Sequence, residues 1–252
     1  MKRSIRIAWM SLMIWSLVQA HAWAGVVVNR TRVIYQADEP EVTIKLSNQD
    51  PSPALVQVWL DDGDPNAAPE QAKVPFVLTP PVARIEPGKA QTLRVIGTPA
   101  GLPQDRESMY WLNVLELPKN TGEAGAGNAL KLAFRTRIKL FYRPGRLAGV
   151  ADESAKQLAW SLAVSGNGGK ALQVRNPTPY HVSFNKVSLA GGGRSYEVEA
   201  DMVAPMASAS FPIAGMAGVP DGPLRVDYAT INDYGASAEG QAPLVVAAGG
   251  EP

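Results

Sequence analysis

The chain has no cysteine, which removes disulfides, thiol nucleophiles and thiolate metal sites from its chemistry. It has two histidines in 252 residues, His21 and His181. With no Gly-x-Ser-x-Gly elbow and no nucleotide-binding motif, no nucleophile–base pair is in view. No segment beyond the first eighteen residues approaches a membrane-spanning apolar run, and none shows a convincing helical period of 3.6. Excess charge of one sign is also missing. No enzyme activity, cofactor, metal or nucleic-acid partner is expected from this inventory.

Residues 1–24 are expected to be an export leader. Lys2, Arg3 and Arg6 precede an apolar run from Ile7 to Val18, and small residues at Ala20, Ala22 and Ala24 offer cleavage after Ala22 or Ala24, the second preferred. Without the leader, 21 Lys and Arg stand against 23 Asp and Glu, a net charge near −2, and His181 is the remaining histidine. The expected mature protein is exported and soluble, with no integral membrane segment. Lacking disulfides, it must be stabilised by a sizeable core, which about 228 residues can supply.

What remains is a series of short alternating segments separated by Pro, Gly and Asn. EVTIKLSN puts Val42, Ile44 and Leu46 on one face, LVQVWL sets Val56 and Val58 against Gln57 and Trp59, and QTLRVIG puts Leu93 and Val95 in phase. MYWLNVLEL runs through Leu117 to Pro118, and a Gly-rich connection follows. A second set comprises LAWSLAV, ALQVRN, HVSFNKVSL, YEVEADMV, LRVDYATI and APLVVAA. This spacing predicts an all-β chain of two immunoglobulin-like sandwiches joined by a short linker, residues 25–145 and 146–252, meeting after Arg143-Pro144-Gly145.

One segment stands apart. From Leu130 to Pro144, LKLAFRTRIKLFYRP carries Leu130, Leu132, Phe134, Ile138, Leu140 and Tyr142 on one face, with Thr136 the break. Lys131, Arg135, Arg137 and Lys139 lie on the other, interrupted by Ala133. Strands average about 5–6 residues, so a strand of this length is expected to overhang its domain. The plainest reading of its cationic row is a solvated face. In DDGDP, Asp61, Asp62 and Asp64 lack the glutamate and spacing of a calcium loop and are expected to form a solvated turn after a strand ending at Leu60. His181, in NPTPYHVSF at a strand start, is expected to be structural or exposed rather than a ligand.

Several segments, in order, resemble the PapD-like periplasmic pilus chaperones: NRTR (Asn29–Arg32), PPVARIEPG (Pro80–Gly88), LPQDRES (Leu102–Ser108), RTRIKLFYRP (Arg135–Pro144), RNPTPY (Arg175–Tyr180) and INDYG (Ile231–Gly235). The resemblance implies a non-enzymatic periplasmic chaperone that binds and folds pilus or fimbrial subunits by donating a strand and passes them to an outer-membrane usher. It implies a cleft between the two sandwich domains, where Arg32 and Lys139 anchor a subunit's C-terminal carboxylate. Leu130, Leu132 and Phe134 would be the donated side chains, contributing on the order of 5–9 kcal/mol before ordering costs. Glu107, Arg143 and Asp233 would form an ion network joining the domains. Self-association of the free protein through the exposed strand is a further implication. The short connection from Pro118 to Asn128 resembles the subclass serving rod-type pili, and the second domain departs from the family pattern in lacking a disulfide. The alternative from another class is a structural or adhesive component of the appendage itself.

Overall fold

Side chains that alternate with period two place one residue in a core and the next outside it, and the chain builds this pattern twice. The computed structural model describes residues 25–98, 101–118, 132–164, 169–216, 218–220 and 222–244. The leader, Leu130, Lys131, residues 119–128 of the connection and the tail from 245 lie outside the described residues.

The first half folds as β1 (Val26–Val28), β2 (Arg32–Gln36), β3 (Glu41–Asn48), β4 (Ala54–Asp61), β5 (Phe76–Thr79), β6 (Val82–Ile85), β7 (Ala90–Gly97), β8 (Ser108–Glu116) and β9 (Phe134–Arg143). Two sheets, ordered β1-β3-β7-β5 and β2-β9-β8-β4-β6, enclose one core. Ile44, Leu46, Leu93 and Val95 of the first sheet meet Val56, Leu112 and Leu140 of the second, all without solvent exposure. Each such aliphatic side chain contributes about 1.5–3 kcal/mol by burial.

The second half follows a short 3-10 helix, Ala151–Gln157. It comprises β10 (Ala159–Val164), β11 (Lys170–Arg175), β12 (Val182–Gly191), β13 (Arg194–Val198), β14 (Met202–Val203), β15 (Ser208–Pro212), β16 (Arg225–Ile231) and β17 (Ser237–Pro243). The sheets are β10-β11-β15 and β13-β12-β16-β17, with β14 also on β12. Trp160 packs against Phe184 and Tyr228 at centroid distances of 5.5 and 6.0 Å, with Leu172, Val174, Val187, Leu189 and Val226 around them. Aromatic and aliphatic packing thus fills this core. Both halves are immunoglobulin-like sandwiches.

Three sequence expectations need correction. YEVEADMV divides into β13 and β14, and the long strand begins at Phe134, leaving Leu132 before it. Among the described residues the last strand is Ser237–Pro243 and not one starting at Ala242: Ala242 and Pro243 end it, Leu244 is buried beyond it, and Val245–Ala248 lie outside the described residues. β17 was illegible because it is a sheet edge whose alternating residues Ala238, Gly240 and Ala242 are too small to mark a buried face. Its glycine has a packing role, since a Cβ on Gly240 would fall 2.5 Å from the Tyr228 ring.

Candidate functional site: an open strand edge beside an interdomain cleft

β9 organises the site. It pairs antiparallel with β8 over all but its last residue, from Phe134 opposite Glu116 to Tyr142 opposite Ser108. On its other side β2 runs parallel, but only from Lys139 (opposite Arg32) to Arg143 (opposite Gln36). Among the described residues, Phe134–Ile138 therefore has a bare backbone edge. An edge of unpaired N–H and C=O groups is a template for another strand.

The even face of β9 continues from core to surface without changing character. Ile138, Leu140 and Tyr142 are buried in the first core. Phe134 lies beyond the sandwich and is 64% exposed, and Leu132 ahead of it is 58% exposed. Leu130 lies outside the described residues. Exposed apolar side chains thus sit at the start of the open edge, at Phe134, and just ahead of it, at Leu132.

The odd face is only in part the solvated cationic row that its sequence suggests: Arg135 is exposed, while Arg137 and Lys139 are half-buried. Arg135 lies over Trp59 at 4.8 Å, Arg137 over Trp111 at 4.4 Å, and Lys139 over Trp111 at 5.5 Å. Asp61 closes this ladder. It belongs to β4, is fully buried, and accepts hydrogen bonds from Arg137 and from Asn113 Nδ2 (2.7 Å), while Arg135 approaches to 3.6 Å. The expected solvated turn after Leu60 is thus corrected at Asp61, because two arginines and an asparagine make a buried carboxylate tolerable. Among the described residues no three His, Asp or Glu converge to hold a metal.

Burial alone would raise the Asp61 pKa, but hydrogen bonds from Arg137, Asn113 and the Gly63 amide outweigh it and hold the group below the usual carboxylate range. A carboxylate whose folded-state pKa is depressed stabilises the fold above its unfolded pKa. That contribution is lost as pH falls through the folded value. Asp61→Asn should therefore cost about 2 kcal/mol at neutral pH. In denaturant titrations the gap between variant and wild type should narrow as the solution is acidified below the ordinary aspartate range. A gap independent of pH would refute the charge argument.

At its C-terminal end the odd face of β9 meets the second domain. Arg143 Nε donates to Glu107 Oε1 at 2.7 Å, and its two terminal nitrogens donate to Asp233 at 2.6 and 2.9 Å. Glu107 Oε2 in turn accepts the His181 amide at 2.8 Å, with His181 Nδ1 at 3.2 Å, and the Glu107 amide donates to the Pro179 carbonyl. Arg143 also lies over Tyr180 at 5.2 Å, and Phe141 over the His181 ring at 5.2 Å. Burial works against the Arg143 charge, but Asp233 and Glu107 more than offset it and raise its pKa.

Local turns put these partners in place. In RNPTPY the buried Asn176 donates to the carbonyls of Tyr180 (2.7 Å) and Ala204 (3.0 Å) and accepts from the Thr178 amide and hydroxyl, tying the loop that presents Tyr180 and His181. In INDYG, Asn232 Oδ1 accepts the amides of Tyr234 and Ala236, forming the β16–β17 turn that carries Asp233. Gly235 in that turn has φ +84°, and a Cβ there would lie 2.2 Å from Thr31 Oγ1 of the first domain. Only glycine combines that backbone with so close an approach.

Arg32 and Lys139 sit side by side in the parallel β2–β9 register, at the boundary between open edge and cleft. Arg32 is 8% exposed, lies over Phe141 at 5.6 Å, and donates through Nη1 to the Ile231 carbonyl at 2.8 Å. Its Nε is buried without a hydrogen-bond partner among the described residues. Burial lowers its pKa, while Asp233 and Glu107 oppose that loss. It lines an interdomain cavity of about 150 Å³ together with Phe141, Arg143, His181, Ser183 and Asp233. Lys139 donates to Asp201 Oδ1 of the second domain at 2.7 Å.

Sequence reasoning did not find Asp201, the glutamate–histidine contact or the indole ladder. Trp59 and Trp111 alternate out of phase with the core, and tryptophan at solvent-face positions opposite a cationic strand was the available signal. Asp201 had none, since its pairing with Lys139 depends on how the two domains meet.

The comparisons with known proteins agree with one another. The family model for the N-terminal domain of PapD, described as a pili and flagellar-assembly chaperone, matches residues 25–148. The C-terminal domain model of the pili assembly chaperone PapD matches residues 153–242. A probable fimbrial chaperone, YadV of Escherichia coli K12, is 44% identical over 225 residues, covering 88% of this chain and 90% of the relative. The chaperone protein FimB/FhaD of Bordetella pertussis is 44% identical over 228 residues, covering 88% and 89%. The crystal structure of the YadV chaperone superposes with a TM-score of 0.76 at 40% identity, over 88% of this chain and all of that one. A Salmonella enterica SafB chaperone, solved in complex with the SafA pilin, gives 0.70 at 28% identity, over 89% and 97%. Matches across both chaperone domains select the chaperone reading over that of an appendage component. With its two sandwiches, open β9 edge and cleft between domains, the chain belongs to the PapD family of pilus-assembly chaperones.

Proposed function

We propose that this chaperone works in the periplasm and holds a pilus or fimbrial subunit along β9. The bare edge from Phe134 to Ile138 pairs with the subunit's backbone, and Leu132 and Phe134, with Leu130 ahead of them, fill an apolar groove that the subunit cannot fill itself. Arg32 and Lys139 fix the subunit's C-terminal carboxylate and so set the register of the added strand. Glu107, Arg143 and Asp233 keep the two domains at the angle that leaves this cleft open. The domains divide at Gly145 behind a leader at 1–24, and the loaded protein passes its subunit to an outer-membrane usher.

The observation that carries this reading is the coincidence along β9 of an open edge, exposed apolar side chains at and just before its start, and two adjacent cations, Arg32 of β2 buried and Lys139 half-buried. A carboxylate leaving water needs charge-assisted donors, each worth about 1.5–3 kcal/mol. The complex of the related SafB chaperone with a pilin supports a subunit as the partner.

The test is a pull-down of tagged protein from the periplasm of the native host. Wild type is expected to recover a small β-rich subunit, with Arg32→Ala and Lys139→Ala each reducing recovery by about ten- to a hundred-fold. Equal recovery by all three proteins would refute the carboxylate anchor.

A further inference from the structure

Lys139 already holds a carboxylate. Its Nζ lies 2.7 Å from Asp201 Oδ1, across the domain boundary. The pair is asymmetric: the lysine side chain is 11% exposed and the aspartate side chain 77% exposed. Lys139 is also held against Trp111, while Asp201 sits at the rim between β13 and β14. The cation is therefore the fixed member, and the carboxylate reaches in from solvent. It can swing out and recover its hydration at little cost. Arg32 beside it differs, since Asp233 and Glu107 already supply its counter-charge from within the cleft.

We propose that Asp201 is a built-in competitor for the subunit's terminal carboxylate. It neutralises Lys139 while the chaperone is empty and yields the ammonium when a subunit enters. The inference rests on the carboxylate-anchor reading of Arg32 and Lys139. The empty protein then avoids presenting an unpaired, largely buried cation, and adventitious anions must displace Asp201 before they bind. Because an exposed rim carboxylate gains little from such a pair, the competition is weak enough for a subunit to win.

The experiment uses the full mature protein and a synthetic peptide of alternating apolar and polar residues, made with either a free C-terminal carboxylate or a C-terminal amide. Binding is followed by calorimetry in wild type, Asp201→Asn, Lys139→Ala and the double variant. The acid peptide is expected to bind Asp201→Asn about two- to five-fold more tightly than wild type, the range set by releasing an exposed ion pair. The amide peptide should bind both equally, and Asp201→Asn should give no gain in the Lys139→Ala background. If wild type prefers the acid peptide but Asp201→Asn binds it no more tightly, or less tightly, the competitor role is wrong and the anchor stands. If wild type does not distinguish acid from amide, the anchor reading fails and the competitor falls with it.

Discussion

Arg143→Ala is expected to destabilise the protein by about 3–5 kcal/mol, measured by denaturant unfolding at neutral pH. The magnitude follows from what the guanidinium leaves behind. The Glu107 side chain is 2% exposed, and without Arg143 its remaining partners are the His181 amide and ring. Asp233 loses both of its hydrogen bonds to the first domain. A buried carboxylate without a counter-ion is costly, whereas the intact pair adds little beyond its own desolvation. Arg143→Lys should recover only a small part of the loss, because an ammonium cannot serve Glu107 and two oxygens of Asp233 with one planar fork. Lower soluble yield and weaker subunit binding should accompany the lost stability. An unchanged unfolding midpoint together with unchanged subunit binding would refute the cross-domain role.

The second large effect is on binding and not on folding. Replacing Leu132 and Phe134 together by serine should weaken capture of a purified pilus subunit by about 3–6 kcal/mol, or two to four orders of magnitude in Kd. Both side chains are more than half exposed in the empty protein, so the unfolding transition should stay within about 0.5 kcal/mol of wild type. That separation is the diagnostic result, because a core residue would move both quantities. The same variant should abolish any concentration-dependent self-association seen by sedimentation, since that contact would use the same edge. Retained subunit affinity would show that the exposed face of β9 is not what the subunit covers.

The sequence by itself determined the class of fold and the two-sided character of β9. Period-two patterning in EVTIKLSN, QTLRVIG and LRVDYATI needs no tertiary information, because a strand with one buried face must alternate. The ordered motifs from NRTR to INDYG likewise located the residues that the structure brings together: Arg143 with Glu107 and Asp233, and Arg32 beside Lys139. Strands whose core-facing side chains are few or small were invisible: β15 turns only Ala209 and Phe211, and β17 only Ala242, against the second core.

Only the tertiary structure decided where the alternating face of β9 stops being core. By alternation alone Phe134 and Leu140 look equivalent, yet one is exposed and the other fully buried, because the first core reaches along β9 only as far as Ile138. It also decided that Asp61 is buried. Composition makes a DDGDP turn polar, and polarity predicts exposure until Arg135 and Arg137 arrive from β9, Arg137 from 76 residues away, to neutralise the carboxylate. Asp201 and Lys139, 62 residues apart, meet for the same kind of reason. Hydrophobic periodicity is a local property that a single strand records, whereas the pairing of charges and the length of an uncovered edge depend on which strands become neighbours.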